Sequence, residues 1–532
     1  MLPSKNICGI NIFRPCENIE KIIYRYVKSN VFKKFKSGKY TEKKIILEIV
    51  SCIYNIHYRV ISKYINYVDK YALFIFLSNE YERYAQAVEH YNNSDFSTEE
   101  EDLWKSYAGN ARRAIKHLME LIIIEGLYNR NNVPLLSQEK AVSKIFISAE
   151  EMVGSYMRYQ LYDNILESVT LTLDENRHEY FHVAEDLTER YDPREDICDM
   201  KKCIPSPSFF ENMEKHNQII GKSFEEKFGK CYLGIMYYLR GAIDIYYKEQ
   251  GDFCIIKRSD FIDFMSKGMS ISKDSATTII EGFSLNKHNM LNEGRVLSKP
   301  KQEYRAYKRG FFVTNIDGED YLLFSPRMAI ECWNILRTDV CFGKIPPEWK
   351  SKKIEKDIAT LSGEAGKWFE NVVKAKFEEY GFIVFSSLKR MAFRDGRSVK
   401  LEDGIGEIDL LCYDRKNSDV VVVEVKQVSS SSEPRQYLDD ISRFITSKNN
   451  YRNKFIKKYT WFINNKELLK EYLSEKIGGE VEIKRIGYAI ITRYPSPIFN
   501  KIKDFSCISI MKFVREFSES KKWSFSSWNS NN

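Results

Sequence analysis

The sequence predicts a multidomain protein with a mainly α-helical N-terminal region, a small α+β segment and a C-terminal α/β domain. At 532 residues the chain is too long for one ordinary hydrophobic core. Apolar residues recur at helical spacing through most of the first half. Near the C-terminus, residues 408–413 alternate between two faces and 420–425 are almost continuously apolar, as expected of buried strands.

Shifts in composition set the expected domain boundaries. Pro346-Pro347 and the charged residues that follow are typical of a linker, and the residues after Ser518 are rich in Ser, Asn and Lys. The predicted parts are a helical recognition or regulatory region of one or two domains at 1–250, a winged-helix-like α+β segment at 251–345, a linker at 346–360, an α/β domain at 361–515 and a disordered tail at 516–532.

The helical region carries recognisable helix signals. Thr98 and Glu101 match a capping box, and Leu103 and Ala111 lie on one apolar face of the helix that follows. We expect this helix to end near 129–134.

The next segment combines short helices with a hairpin. Ser259 begins one helix and Ser272 caps another, and two strand-like runs flank Asp317-Gly318, a dipeptide favoured in hairpin turns. Between them, cations interleave with tyrosines: Lys299, Lys301, Arg305, Lys308 and Arg309 with Tyr304 and Tyr307. This segment fits nucleic-acid contacts and fits a solvated basic loop equally well.

The C-terminal strands place charged residues where apolar ones are expected. Asp409 interrupts the first strand, and after a polar turn Glu424 and Lys426 lie two residues apart, hence on one face of the second. Burying two carboxylates and an ammonium group is costly unless the charges are paired or bind a cation. Two carboxylates with water and a phosphate form a ligand shell that Mg²⁺ accepts.

Asp409 followed by Glu424-Val425-Lys426 resembles the active-site signature of the PD-(D/E)xK, or restriction-endonuclease-like, nuclease superfamily. The order of elements is similar to its Mrr-like, Holliday-junction-resolvase-like and NERD-like branches, over roughly 361–512. The resemblance implies a mixed central sheet flanked by helices and endonuclease activity that depends on Mg²⁺ or Mn²⁺, acting on double-stranded DNA more often than on RNA.

The resemblance also implies an accessory glutamate on a preceding helix, which we expect at 362–380 with Ser362 as its N-cap. Glu370, one turn after Gly366, is the preferred candidate, and Glu364 in the expected first turn is the alternative. The implied catalytic residues and metal ligands then follow from the family pattern. They are Asp409, Glu424, Lys426 and Glu370 for catalysis, with the metal held by Asp409, Glu424, Glu370 and the backbone carbonyl of Val425.

Further elements are expected around this signature. A helix at 435–446 contains Gln436, which matches a glutamine of the related branches, and a strand at 459–463 precedes a helix near 468–473 and a strand at 486–492. Glu407 shares a strand face with Asp409, and we expect it to be a solvated strand-edge charge.

Composition limits the cellular setting. The net charge of +8 is compatible with a polyanionic partner, and eleven cysteines in no regular framework favour a reducing cytoplasm. We expect no signal peptide and no membrane span. Cutting both strands with one site per chain favours a homodimer, and the N-terminal region is a candidate surface for a protein partner. By analogy, a variable region ahead of a nuclease suggests a restriction or phage-defence effector.

Two alternative functions remain open. One is a nucleic-acid-binding or interaction protein whose nuclease fold is inactive. The other is a zinc peptidase, because residues 178–182 match HExxH with His178, Glu179 and His182. That chemistry requires the two histidines one helical turn apart.

Overall fold

The computed structural model describes residues 3–93, 96–127, 135–177, 179–185, 204–205, 208–292, 302–401, 405–429 and 434–529. The chain divides into two compact units: Met1–Glu185 with Met213–Ala359, and Asp186–Asn212 with Thr360–Asn532. The expected helical region and the expected α+β segment therefore share the first unit. Residues 346–359 of the expected linker at 346–360 belong to that unit also, and the Trp349 side chain is fully buried.

The first unit is mainly helical, as predicted. Its described helices are α1 Glu17–Phe32, α2 Lys43–Tyr64, α3 Lys70–Asn92, α4 Thr98–Glu125, α5 Leu135–Asn164, α6 Met213–Phe228, α7 Tyr232–Gln250, α8 Arg258–Met269, α9 Lys273–Gly282, α10 Lys287–Asn292 and α11 Pro326–Asp339. Its described strands are β1 Ser4–Ile7, β2 Ile10–Phe13, β3 Gly38–Tyr40, β4 Val169–Leu173, β5 Phe181–Glu185, β6 Cys254–Lys257, β7 Ser284–Leu285, β8 Phe311–Ile316 and β9 Glu319–Phe324.

The predicted helix cap at Ser272 and the predicted hairpin turn are confirmed, and the predicted capping box is shifted by one residue. Ser272 caps α9, and Asp317-Gly318 joins β8 to β9 with both residues at positive φ, as a tight hairpin turn requires. The capping box of α4 uses Ser97 and Glu100, so the predicted pair Thr98 and Glu101 was one residue late.

The basic segment before β8 is paired inside the unit. Arg305 pairs with Glu120, Lys308 with Asp339 and Arg309 with Glu348. Lys299 and Lys301 lie outside the described residues. The three described cations are therefore committed to carboxylates, which disfavours the nucleic-acid role considered for this segment.

Helix α2, with the short turn that extends it to Tyr67, is the one described helix long and apolar enough to cross a membrane. Half of its most apolar window is buried. Ile49, Ile53 and Val60 pack in one core cluster with Ile147 of α5. The apolar face of α2 is thus used for packing within the unit.

The second unit is built on a mixed sheet, as predicted. Its elements are α12 Lys352–Glu379 from Thr360 onward, β10 Ile383–Leu388, β11 Arg390–Ala392, β12 Ser398–Lys400, β13 Ile408–Asp414, β14 Asp419–Lys426, α13 Pro434–Ile441, α14 Tyr451–Asn464, α15 Lys466–Ile477, β15 Arg485–Thr492, β16 Ser506–Ser509, α16 Ile510–Ser520 and β17 Ser527–Asn529. The sheet order is β10-β13-β14-β15-β16, and β17 also pairs with β15. The β10, β13 and β14 pairings are antiparallel, whereas β14-β15 and β15-β16 are parallel.

Helix α12 packs on the middle of this sheet. Phe369, Val373 and Phe377 share a buried cluster with Val421 and Val423 of β14. The helix begins at Lys352, so residues 352–360 of the expected linker are helical. Ser351 caps it by accepting the N–H of Ile354 at 3.2 Å, and Ser362 lies inside the helix and is not its N-cap.

Two further predictions in this unit were wrong. Residues 459–463, rich in β-branched and aromatic side chains, lie in α14, where the Asn450 cap and packing of Phe455 and Phe462 override strand propensity. The expected disordered tail contains the end of α16 and the strand β17. Trp523 is fully buried there because Gly487 leaves room for its indole: a Cβ at Gly487 would lie 2.5 Å from the ring nitrogen.

We predict that Trp523→Ala destabilises the second unit by about 3–5 kcal/mol, since it removes a buried indole from the core. Trp528→Ala, a half-buried tryptophan on β17, is the matched control and should cost about 1 kcal/mol. Urea unfolding followed by circular dichroism measures both. Equal, small losses would mean that the C-terminal residues do not belong to the core.

Candidate active site

The structure brings Asp409, Glu424 and Lys426 together at one end of the β13–β14 hairpin. The ladder between these strands runs from Asp414↔Asp419 to Leu410↔Val423 and ends there. Beyond that point, the N–H of Val425 donates to Asp409 Oδ2 at 2.8 Å. The carboxylate thus takes the place of a backbone acceptor, and this bond fixes its orientation.

The other ladder of β13 also opens at Asp409. Ser386 pairs with Leu410 and Leu388 with Ile408, so Ser387 is left out of the register opposite Asp409. Ser387 has φ +55°, a left-handed conformation that is uncommon for residues other than glycine. Residues held in such sparsely populated backbone conformations recur beside active sites.

Lys426 bridges the two carboxylates. Its Nζ lies 2.5 Å from Glu424 Oε1 and 3.3 Å from Asp409 Oδ2, with the ring centroid of Tyr451 at 5.6 Å. Burial alone would lower the pKa of Lys426, but the carboxylates of Glu424 and Asp409 outweigh it and raise the pKa above its ordinary value. Lys426 is therefore an ammonium group and acts as a charge and a hydrogen-bond donor.

A second lysine, Lys458 of α14, completes the surroundings of Glu424. Its Nζ pairs with Glu424 Oε2 and also donates to the backbone carbonyl of Glu407. The Lys458 side chain is 8% exposed. Glu424 is thus held through both oxygens, one by each lysine, and its carboxylate plane is fixed.

Sequence reasoning missed Lys458 because the residues directly after it, 459–463, were predicted to form a strand. Read as a helix, it lies three residues after Phe455 and four before Phe462, both buried. A lysine within the apolar stripe of a helix was the available signal, since a buried ammonium needs a carboxylate partner.

Glu370 of α12 lies near the cluster, whereas Glu364 is exposed in the middle of the same helix. Burial and the charge of Asp409 raise the pKa of Glu370 to about 7, with smaller contributions from Glu407 and Glu424 and an opposing one from Lys426. Electrostatic contact with the cluster therefore favours Glu370 as the accessory carboxylate. The expected first-turn position of Glu364 was wrong because α12 begins earlier.

Gly366 lies beside the end of β14. A Cβ at Gly366 would be 3.6 Å from Gln427 Oε1, at ordinary contact distance, so α12 passes close to the residue that follows Lys426. Helix α12, which carries Glu370, therefore passes the charged end of the β13–β14 hairpin.

The donor chemistry of the cluster fits a divalent cation. The pKa of Asp409 is raised, mainly by burial and further by the charge of Glu424. Lys426 and the Val425 N–H act in the opposite direction but do not outweigh these effects. Crowded carboxylates of this kind are stabilised by a cation. Within the described ranges, however, no three His, Cys, Asp or Glu side chains lie close enough together to hold a metal ion.

The protein therefore supplies two carboxylates, Asp409 and Glu424, and Mg²⁺ commonly completes such a set with water and substrate phosphate. Among the described residues, Glu370 does not form a group of three carboxylates with Asp409 and Glu424. Its expected role as a metal ligand is therefore not supported by the geometry. The ligand role of the Val425 carbonyl remains a prediction.

Other candidate residues have different surroundings. Glu407 pairs with Lys389 at 3.3 Å and is half-buried, and Gln436 is buried at the start of α13. His178 of the HExxH match lies outside the described residues. His182 lies on strand β5 opposite Thr172, so the described part of that motif is not the helix that zinc binding requires.

Comparison with protein-family models, with curated proteins and with solved structures gives no match to the chain. The resemblance to the nuclease superfamily therefore rests on the signature residues and on the order of elements around them.

We predict a pH-dependent effect of Glu370→Gln on stability. Because the pKa of folded Glu370 lies near 7, above the ordinary 4.5, its ionisation destabilises the fold progressively between these pH values. Glu370→Gln should melt at a higher temperature than native protein at about pH 8, but not at about pH 4. Exposed Glu364→Gln is the control on the same helix, and an equal shift in both variants would contradict the electrostatic contact.

Proposed function

We propose that the second unit is a metal-dependent endonuclease that hydrolyses phosphodiester bonds in double-stranded DNA. The observation that supports this proposal most strongly is the hairpin end itself. There, Asp409 is aligned by the Val425 N–H and shares Lys426 with Glu424. At Asp409 the ladder to β14 ends and the ladder to β10 has a gap, and a salt bridge kept only for stability has little reason to lie there.

Each side chain has a role in this chemistry. Asp409 and Glu424 would hold Mg²⁺ or Mn²⁺, which polarises the phosphate and acidifies a water when bound. The Lys426 ammonium donates to the attacking water or to a phosphate oxygen and offsets negative charge that develops there. Lys458 acts through Glu424: it positions the carboxylate and does not contact substrate.

The substrate class follows from the resemblance and from charge. A net charge of +8 suits a polyanion, although it is spread over the whole chain. A cytoplasmic location, a homodimer that cuts both strands and target choice by the first unit complete the proposal. The restriction or phage-defence role rests on analogy.

We predict cleavage of double-stranded DNA that requires Mg²⁺ or Mn²⁺ and stops with chelator. The full chain is incubated with linear and circular duplexes, single strands and RNA, and products are followed on gels. Asp409→Asn and Lys426→Met should each lower the rate by about 100-fold or more, because each removes charge stabilisation at the reacting phosphate. Lys458→Met should lower it less, since Lys426 still holds one oxygen of Glu424.

Lys416→Met is the matched control. Lys416 is an exposed lysine in the turn at the opposite end of the same hairpin, so its loss should leave the rate unchanged. Cleavage that persists in both Asp409→Asn and Lys426→Met would rule out this site. A duplex that shifts in a gel without being cut at any metal would instead support the inactive binding protein.

A further inference from the structure

The first unit contains a large cavity that plays no part in the proposed nuclease chemistry. Its volume is about 1090 Å³, and its walls come from α1, α2, α5 and the start of β5. Ile53, His57 and Ile147, all buried, form its floor. Small-molecule sites commonly occupy about 300–1,000 Å³, so this cavity has room for an organic ligand.

The floor holds a polar group whose hydrogen-bonding capacity is not used. His57 is 3% exposed, and its buried Nδ1 has no hydrogen-bond partner in the protein. Burial, with a contribution from Arg158, lowers the pKa of His57 to about 3, so the ring is neutral. A neutral imidazole donates through one nitrogen and accepts through the other, and an unsatisfied buried nitrogen is costly.

A cation lies beside this histidine. Arg158 lines the cavity, and its guanidinium carbon lies 5.7 Å from the ring centroid of Phe181. Among the residues that the structure describes, no carboxylate is within ion-pair distance of Arg158. Arg14 also lines the cavity, but it already pairs with Glu150. Arg158 is therefore the arginine better able to bind an anion.

The remaining surfaces indicate the size and shape of a ligand. Tyr24 and Tyr180 lie with ring centroids 5.0 Å apart along the wall, and such rings stack on planar groups. Glu17 and Glu151 are exposed at the rim. Exposed Lys21 and Arg25 line the same cavity, so its mouth carries charges of both signs and admits a small molecule with few charges.

We propose that this cavity binds a small molecule that carries one anionic group, a carboxylate or a phosphate monoester, on a planar ring. Arg158 pairs with the anion, His57 satisfies its free nitrogen on the ligand, and the tyrosines contact the ring.

Calorimetry on the full chain tests this assignment. Adenosine monophosphate and indole-3-carboxylate serve as anionic probes for the two head groups, with adenosine and indole as uncharged counterparts. We expect at least one anionic probe to bind at millimolar concentration and more tightly than its counterpart. Arg158→Met and His57→Leu should weaken that binding, about tenfold or more for the arginine.

Arg59→Met, an exposed arginine on the same helix as His57 and outside the cavity, is the control and should bind as native protein does. Circular dichroism checks that each variant is folded. If His57→Leu does not fold, Arg158→Met still tests the assignment, because Arg158 is only half-buried. Failure of both anionic probes to bind, or unchanged binding in Arg158→Met, would overturn the assignment. Loss of binding in Asp409→Asn would place the probe at the hairpin end and would overturn it as well.

Discussion

The candidate active site depends on one hydrogen bond, from the Val425 N–H to the Asp409 carboxylate. It forms where the β13–β14 ladder stops, so the side chain continues the pairing that the backbone no longer makes. A buried N–H without an acceptor is costly, and Asp409 removes that cost while its second oxygen remains available. Packing of α12 on the valines of β14 holds the hairpin in place.

The four charges at this point compensate one another in pairs. Two ammonium groups meet two carboxylates, and Glu424 contacts both lysines. Buried ion pairs contribute little net stability compared with apolar packing, and removal of one partner is strongly destabilising. The arrangement is therefore better explained by the proposed chemistry than by stability, and burial, with the charge of Asp409, raises the pKa of Glu370 beside it.

Sequence reasoning located the hairpin, its charged residues and the parallel strand β15, because alternation and continuous apolar runs report burial directly. It failed where tertiary packing overrides local preference. Residues 459–463 have strand propensity, but they lie in α14 and contribute to its buried face. Because they were predicted as a strand, Lys458 was not recognised as part of the site. The polar composition after Ser518 concealed Trp523, whose burial depends on the absence of a side chain at Gly487. The contact between Trp523 and Gly487 leaves no local pattern in the sequence, whereas the position of Lys458 between Phe455 and Phe462 was such a pattern.

The most direct test of the central claim is Mn²⁺ binding followed by electron paramagnetic resonance, without any substrate. If Asp409 and Glu424 form a cation site, native protein should bind Mn²⁺, and Asp409→Asn should lose that binding while Lys416→Met retains it. Equal Mn²⁺ binding by native protein and Asp409→Asn, or none by either, would contradict the account.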